Sequence, residues 1–449
     1  MTSILNDNKK LYDRQIRIYG DYCNEKINSS SIVIFYKSYL ICYELVKHLS
    51  LCGVKNIFLV NNNNCKILFD ELDIENTDTK IEIINDDFDS SFLNNKFVIV
   101  FNNSYDYCKK ISEKCRSVNN CKFIVFGCSG LSGYLFCDYG NNNHQIIDCN
   151  ESIVDPILIS NVCSDGLVSC VSGSSHNLLN NDIITFESLE GDNLNFLKRE
   201  WHVDVISKEL FKLKDFEVNE NFKFYNGNIK KIIKPIIYSS ETFERQFNER
   251  TIVNEDSKFS NKIIDMHFNL IDKDYIEPWS LNMTKRLENF DNDLHLLVRS
   301  FKTNINPVIS ILTSIVCSET LKLITGKFKP IKQWLTWSDE ELLKSNHFDM
   351  TFNKSKIENL FGSSFLKKLE NLKLSVFGMG CLGFNVLNLL ESMNVSKSVE
   401  GEINLFDNNS IKHDDLKRLY FKDKNVTYKD INKNKTDIFR NLNNLNVYN

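Results

Sequence analysis

Alanine is absent from all 449 residues, whereas Asn, Lys, Ile and Phe are abundant. AT-rich coding accounts for this, because alanine codons are GC-rich and those of the other four are not. The absence removes the best helix former, so helices must lean on Leu, Lys and Glu. It also erodes the small-residue positions of any motif. Asparagine runs such as Asn61 to Asn64 and Asn141 to Asn143 therefore read as loop inserts.

Other absences bound the function. The 14 cysteines form no C-x-x-C pairs and follow no metal-ligand spacing. The opening segment MTSILNDNKK is polar and lacks the apolar core of a signal peptide. No uninterrupted run approaches the roughly 18 apolar residues of a membrane span. The expectation is a reducing, intracellular setting with buried free thiols. A net charge of -5 argues against a protein dedicated to nucleic acid, which carries a basic field. What is present, 42% hydrophobic residues in a chain of this length, suffices for two to four domains with real cores.

The first segment alternates apolar runs with helical patterns. SSIVIFY (Ser30 to Tyr36) reads as a buried strand, and LICYELVKHLSLCGV as an amphipathic helix. NIFLV, KFVIVF and KFIVFG are further strands, so the expected fold class is α/β with a parallel, doubly wound sheet. After about Asp165 short strands crowd together (GLVSCV, DIITFESLEG, WHVDVI, NFKFYNG), the texture of a small β module that Pro235 ends. Helical periodicity with many charges follows from about Ser239 to Leu297. A long apolar helix, stopped by Gly326, is placed to return to the first sheet. Then LKLSVFGMGCLGFNVLNLLESM begins a second strand–turn–helix unit, followed by the strand EINLFD.

The most informative local feature is Gly378-Met379-Gly380-Cys381-Leu382-Gly383, between a strand and a helix. Glycines there permit a tight turn and let backbone N–H groups approach a phosphate at the positive helix end. Asp407 closes the next strand, placed to accept ribose hydroxyls. These features alone leave ATP and NAD open. Cys381 lacks an adjacent base and reads as a small filler rather than a nucleophile.

The run from Asp407 through Asn409, Ile411, Arg418 and Lys435 resembles the adenylation signature of ubiquitin-activating enzymes, members of the ThiF/MoeB-like superfamily. Near the start, Leu11-Tyr12-Asp13-Arg14-Gln15-Ile16-Arg17 with Gly20 is similar to the opening motif of that family's inactive adenylation half. Glu44, Lys47 and Gly53-Val54 match the following helix. Phe136-Cys137-Asp138-Tyr139-Gly140 and Asp165-Gly166-Leu167-Val168 match the approach to its β-rich first catalytic-cysteine half-domain. Gly326-Lys327-Phe328-Lys329-Pro330-Ile331-Lys332-Gln333-Trp334-Leu335 is the most specific match.

The resemblance implies an inactive Rossmann-like adenylation domain (1–165, returning at 298–345). Into it are inserted a β-rich half-domain (166–236) and a helical bundle (237–297). The start of an active-type adenylation domain follows at 346–449. It implies ATP and Mg2+ as cofactors, with phosphates on Gly378, Gly380 and Gly383 and the nucleoside near Asp407 and Asn409. Arg418 and Lys435 would neutralise charge on the phosphates, and Arg14 would reach across to the same ATP. Ubiquitin or a ubiquitin-like modifier and a ubiquitin-conjugating enzyme are the implied partners, in cytoplasm and nucleus.

The family's magnesium-binding aspartate, thioester cysteine and ubiquitin-fold domain are expected beyond Asn449. Several positions depart from its pattern. Tyr36 to Ile41 replaces the glycine loop in the first half. Asn409 replaces an acid, Asp415 the usual Asn and Leu419 the usual Gln. Asn385 and Asn388 stand for Glu and Lys. A non-catalytic scaffold subunit lending Arg14 to a second chain is the competing reading, and an NAD-binding protein the third.

Overall fold

Apolar runs of four to six residues have few ways to hide both faces, and here they do so as the inner strands of a mixed α/β sheet. A computed structural model describes residues 12–61, 78–141, 144–147, 156–217, 221–232, 235–249, 260–271, 303, 305–339, 356–412, 415, 420–421, 424–425, 428–439 and 445–448. Helices α1 (Asp13–Tyr19) and α2 (Asp21–Ser29) precede β1 (Ser31–Tyr36), α3 (Tyr39–Leu51), β2 (Asn56–Asn61) and β3 (Lys80–Ile84). Then come β4 (Phe97–Phe101), α4 (Tyr105–Arg116), β5 (Lys122–Ser129) and β6 (Ser132–Asp138). The five strands β1 to β5 are parallel. The sheet is completed by two antiparallel strands that the sequence reading did not contain, β6 and a strand at Trp334–Ser338.

The chain divides into two compact units. One comprises Met1–His144, Tyr238–Thr325 and Pro330–Asn449, and the other Gln145–Ile237 and Gly326–Lys329. The second unit is a closed six-stranded barrel of β7 (Ile157–Val162), β8 (Leu167–Cys170), β9 (Ile183–Asp192), β10 (Trp201–Val205), β11 (Leu210–Leu213) and β12 (Lys223–Ile232). Its interior is filled by Ile159, Val168, Ile184, Trp201, Phe211 and Ile229. It takes in Ile157–Val162, upstream of the change in texture at Asp165. That strand escaped notice because Ser160 and Asn161 interrupt its apolar pattern at a register shift.

Within the first unit, α5 (Phe243–Asn248) and α6 (Ser260–Ile271) cover one face of the sheet with α4, burying Cys108, Ile111, Phe243 and Phe268. Most of the remaining charged helical stretch expected up to Leu297 lies outside the described residues. The other face is covered by α3 and α7 (Asn306–Thr325), through Ile41, Leu45, Leu312 and Val316. By length and composition α7 does qualify as a candidate membrane span, contrary to the sequence reading. Its most apolar window has a mean hydropathy of 1.6, and 67% of it is buried inside the protein. Packing against α2, α3 and β5 accounts for that apolarity.

A polar seam ties α3 to α7. Glu44 accepts hydrogen bonds from Lys47 Nζ (2.8 Å) and Ser310 Oγ (3.0 Å), with His48 Nε2 at 3.5 Å. Burial alone would raise the Glu44 carboxyl, but His48 and Lys47 outweigh it and bring it down from 4.5 to about 2.

The string that includes Lys332-Gln333-Trp334 leads into β13 (Trp334–Ser338). Trp334 is fully buried against Phe136, with ring centroids 4.7 Å apart. Gln333 donates to the Glu241 carbonyl (2.9 Å) and accepts from the Glu241 N–H (3.0 Å). The remainder of the unit holds α8 (Lys356–Phe361), α9 (Ser363–Glu370), β14 (Lys373–Phe377), α10 (Cys381–Ser392), β15 (Glu402–Phe406) and β16 (Leu445–Tyr448). The three strands form a parallel sheet in the order β14-β15-β16.

Two measurements test this packing. Trp334→Ala should lower the unfolding free energy by roughly 3–5 kcal/mol in denaturant titrations, because the cavity lies between two packed layers. Folding lowers the Glu44 pKa, so its stabilisation is full above about 4.5 and fades as the pH falls toward 2. The stability gap between wild type and Glu44→Gln should narrow over that window and stay constant above it.

Candidate functional site

β14 ends at Phe377 and α10 begins at Cys381, so the chain reverses within Gly378, Met379 and Gly380. The three glycines of the loop are there for different reasons. Gly378 has φ +90°, a conformation side chains disfavour. A Cβ on Gly383 would lie 2.1 Å from the Gly378 carbonyl oxygen, so the first turn of α10 closes on the loop only with glycine there. Gly380 is different. Its φ of -79° suits any residue, and nothing lies within 4 Å of where its Cβ would be. Neither backbone nor packing requires glycine at 380, and what its absent side chain leaves is open space beside the first N–H groups of a helix.

Met379 is fully buried with Phe384, Leu387, Leu405 and Ile411, pinning the loop from below. Its N–H donates to Asp407 Oδ2 (2.6 Å), while Asp407 Oδ1 accepts from the Asn409 N–H (2.7 Å). The Asn409 carbonyl accepts from the Lys435 N–H (3.0 Å), and the Ile411 N–H donates to the Lys433 carbonyl (2.8 Å). Met379 of the loop, Asp407, Asn409 and Lys435 are thus joined in one hydrogen-bonded chain, and the Gly378 N–H donates to the Phe406 carbonyl (2.8 Å) just before Asp407. The expectation that Asp407 receives ribose hydroxyls meets a carboxylate already holding two backbone N–H groups. Each oxygen keeps a further lone pair.

Lys435 Nζ lies 3.1 Å from Asp415 Oδ2 and 3.2 Å from Oδ1. The two side chains are only 13% and 16% exposed, respectively. Asp415 also accepts the Lys412 N–H (3.0 Å). Sequence reasoning marked Asp415 only as a departure from Asn, since nothing local predicts its partner twenty residues on. Arg418 lies outside the described residues.

Arg14 is exposed on α1, whose principal packing neighbour is α2. The residues around it are accounted for structurally. Tyr12 packs against the site where a Gly53 Cβ would stand, and Gln15 Nε2 donates to Asn24 Oδ1 (2.9 Å) and the Cys52 carbonyl (3.0 Å). Arg17 pairs with Asp13 at 3.0 Å. Among the described residues, no hydrogen bond or ion pair joins Arg14 to the glycine loop.

The corresponding junction of the first sheet is built otherwise. Tyr36 at the end of β1 is buried, and Tyr39 and Tyr43 lie 6.1 Å apart at the start of α3. Cys381 is exposed, and its Sγ lies 3.6 Å from Asn385 Nδ2, which donates to the Cys381 carbonyl at 2.8 Å. Among the described residues, no group of three or more His, Cys, Asp or Glu side chains is placed to hold a metal ion.

Fold and loop together define a mixed α/β protein whose small parallel sheet carries the strand–glycine loop–helix turn suited to phosphate-bearing ligands. No family model matches the chain. Over 95% of its length it is 23% identical to ubiquitin-activating enzyme E1 1 of Candida albicans (strain WO-1). It is 24% identical over 91% of its length to ubiquitin-like modifier-activating enzyme 6 of Homo sapiens, and 24% identical over 93% to ubiquitin-activating enzyme E1 2 of Arabidopsis thaliana. The curated homologues of this chain are ubiquitin-activating enzymes. The chain spans 44–47% of the length of these relatives. A crystal structure of E. coli MccB with MccA-N7isoASN covers 73% of this chain and 69% of its own, at 12% identity and a TM-score of 0.33.

The distinct reasons for the glycines make a testable pair. Gly383→Ala should lower the melting temperature, because its methyl meets a carbonyl oxygen at 2.1 Å. Gly380→Ala should melt like wild type, since its methyl enters open space.

Proposed function

We propose that the chain is a ubiquitin-activating-type adenylation protein, acting on the C-terminus of ubiquitin or a ubiquitin-like modifier with ATP as co-substrate. The observation that carries this reading is Gly380, a glycine that the fold itself does not need, beside the N–H groups that open α10. A nucleotide phosphate fits that space, because the helix N-terminus offers unpaired donors and a positive dipole. Lys435 supplies the neighbouring cation, and Asp407 holds the loop in shape with lone pairs left for a sugar hydroxyl. Arg418 is assigned to the phosphates and Arg14 to the same nucleotide on the strength of the family resemblance alone. In adenylation a modifier carboxylate attacks the α-phosphate and pyrophosphate leaves. The chain's contribution is to orient the nucleotide and offset the growing charge. Among the described residues no cluster of three or more His, Cys, Asp or Glu side chains could hold magnesium without the nucleotide's own phosphates.

On this reading residues 1–165 and 298–345 are the inactive adenylation half, 166–236 the first catalytic-cysteine half-domain and 237–297 the helical insert. Residues 346–449 open the active-type half. The setting is cytoplasm and nucleus, with a ubiquitin-conjugating enzyme downstream. A second reading, a scaffold subunit for another chain, is favoured by the Lys435–Asp415 pair, which already satisfies the lysine charge.

Calorimetric titration with ATP separates the two. Wild type should bind, and Gly380→Ala should bind at least about tenfold more weakly with an unchanged melt, because its methyl would enter the space assigned to the phosphate and hold it away from the backbone N–H groups. Absence of ATP binding by wild type would refute the adenylation reading and leave the scaffold. In modifier-dependent ATP–pyrophosphate exchange, Arg418→Ala and Lys435→Ala should abolish activity while Cys381→Ser leaves it near wild type.

A further inference from the structure

Lys435 is tied through its backbone to the segment that Asp407 braces against the glycine loop, and its charge is paired. Its backbone is tied to Asn409 (3.0 Å), so its side chain has a set origin relative to Asp407 and the loop. Its ammonium contacts both Asp415 oxygens at 3.1 and 3.2 Å. Asp415 is in turn held by the Lys412 N–H, so the carboxylate is anchored as well as paired. The pair is largely shielded from solvent, where salt screens it poorly and each charge is felt strongly by its neighbours.

We propose that Asp415 sets the affinity and charge preference of the phosphate subsite, by holding Lys435 in an internal ion pair that an incoming polyphosphate must share or displace. The inference rests on reading the glycine loop as a nucleotide site and goes beyond it. With Asp407 and Asp415 both negative, the site offers a triphosphate less net attraction than its lysine alone would. An asparagine at 415 keeps the shape and the acceptor for Lys412 and leaves the Lys435 charge for the ligand. The penalty therefore grows with the number of phosphate charges and is absent for an uncharged nucleoside.

The test is titration of wild type, Asp415→Asn, Lys435→Ala and the double variant with ATP, ADP, AMP and adenosine at fixed salt. Asp415→Asn should tighten ATP by roughly ten- to a hundredfold, with smaller gains for ADP and AMP and none for adenosine. The gain should vanish in the Lys435→Ala background. A merely structural Asp415 would shift all four ligands alike, and that outcome overturns the proposal. So does unchanged or weaker ATP binding by a folded Asp415→Asn protein while wild type binds, which leaves the nucleotide reading standing. No binding of any of the four by either protein overturns that reading and this one together. Should Asp415→Asn fail to fold, Asp415→Ser gives the same comparison.

Discussion

The carboxylate of Asp407 joins the end of β15 to the glycine loop and to the segment that follows, accepting the N–H groups of Met379 and Asn409. Glycine-rich turns lose more conformational freedom on ordering than any other segment, so a loop with Gly378 at φ +90° needs a strong local anchor. Hydrogen bonds to an ionised acceptor are about twice as strong as neutral ones. Met379 supplies the second anchor by inserting into the core beneath the turn. With the loop held at both sides, α10 begins at Cys381 beside the open space at Gly380. Asn409 then passes the constraint on to Lys435 through a single backbone hydrogen bond.

The junctions β1–α3 and β14–α10 share a strand–turn–helix design and are filled in opposite ways. At the first, Tyr36 is buried at the end of β1, the Tyr39–Tyr43 pair lies at the start of α3, and no glycine is present between the two elements. At the second, glycine opens the turn and a carboxylate braces it. The same backbone plan thus carries a packed junction in one place and an accessible one in the other, which is why function has to be argued from the site rather than the sheet. The Lys435–Asp415 pair adds a further difference, because it turns a cation of the open junction partly inward.

The string from Gly326 to Leu335 illustrates how a sequence resemblance acquires a physical cause. Phe328 and Gln333 both adopt positive φ, at 66° and 64°, so the segment follows an unusual path. Gln333 stabilises its part of that path by reciprocal hydrogen bonds with Glu241, and the Ile331 N–H donates to buried Glu319 (2.8 Å). Trp334 then enters the aromatic cluster of Phe136 and Phe243. These residues are specific because the path allows few alternatives, independent of any catalytic role.

The sequence by itself determined most of the element types: four of the five parallel strands between Ser31 and Ser129, the helix after β1, and the glycine loop before α10. The largely exposed edge strand Lys80–Ile84 carries no apolar run and was not read. Continuous apolar runs and strand–glycine–helix patterns have few other physical solutions, so local information suffices for them. It did not determine that Ser132–Asp138 and Trp334–Ser338 pair side by side, that Ile157–Val162 closes a barrel, or that α7 is a core helix despite its membrane-like composition. Those outcomes depend on partners distant in the chain. Within the site, Asp407 and Lys435 could be picked out by position, yet only the folded chain brings Asp415 onto Lys435 and shows Gly380 to be unneeded by its own surroundings. Local periodicity sets which face of an element is buried, whereas what a charged group meets there is settled only once the fold has placed its neighbours.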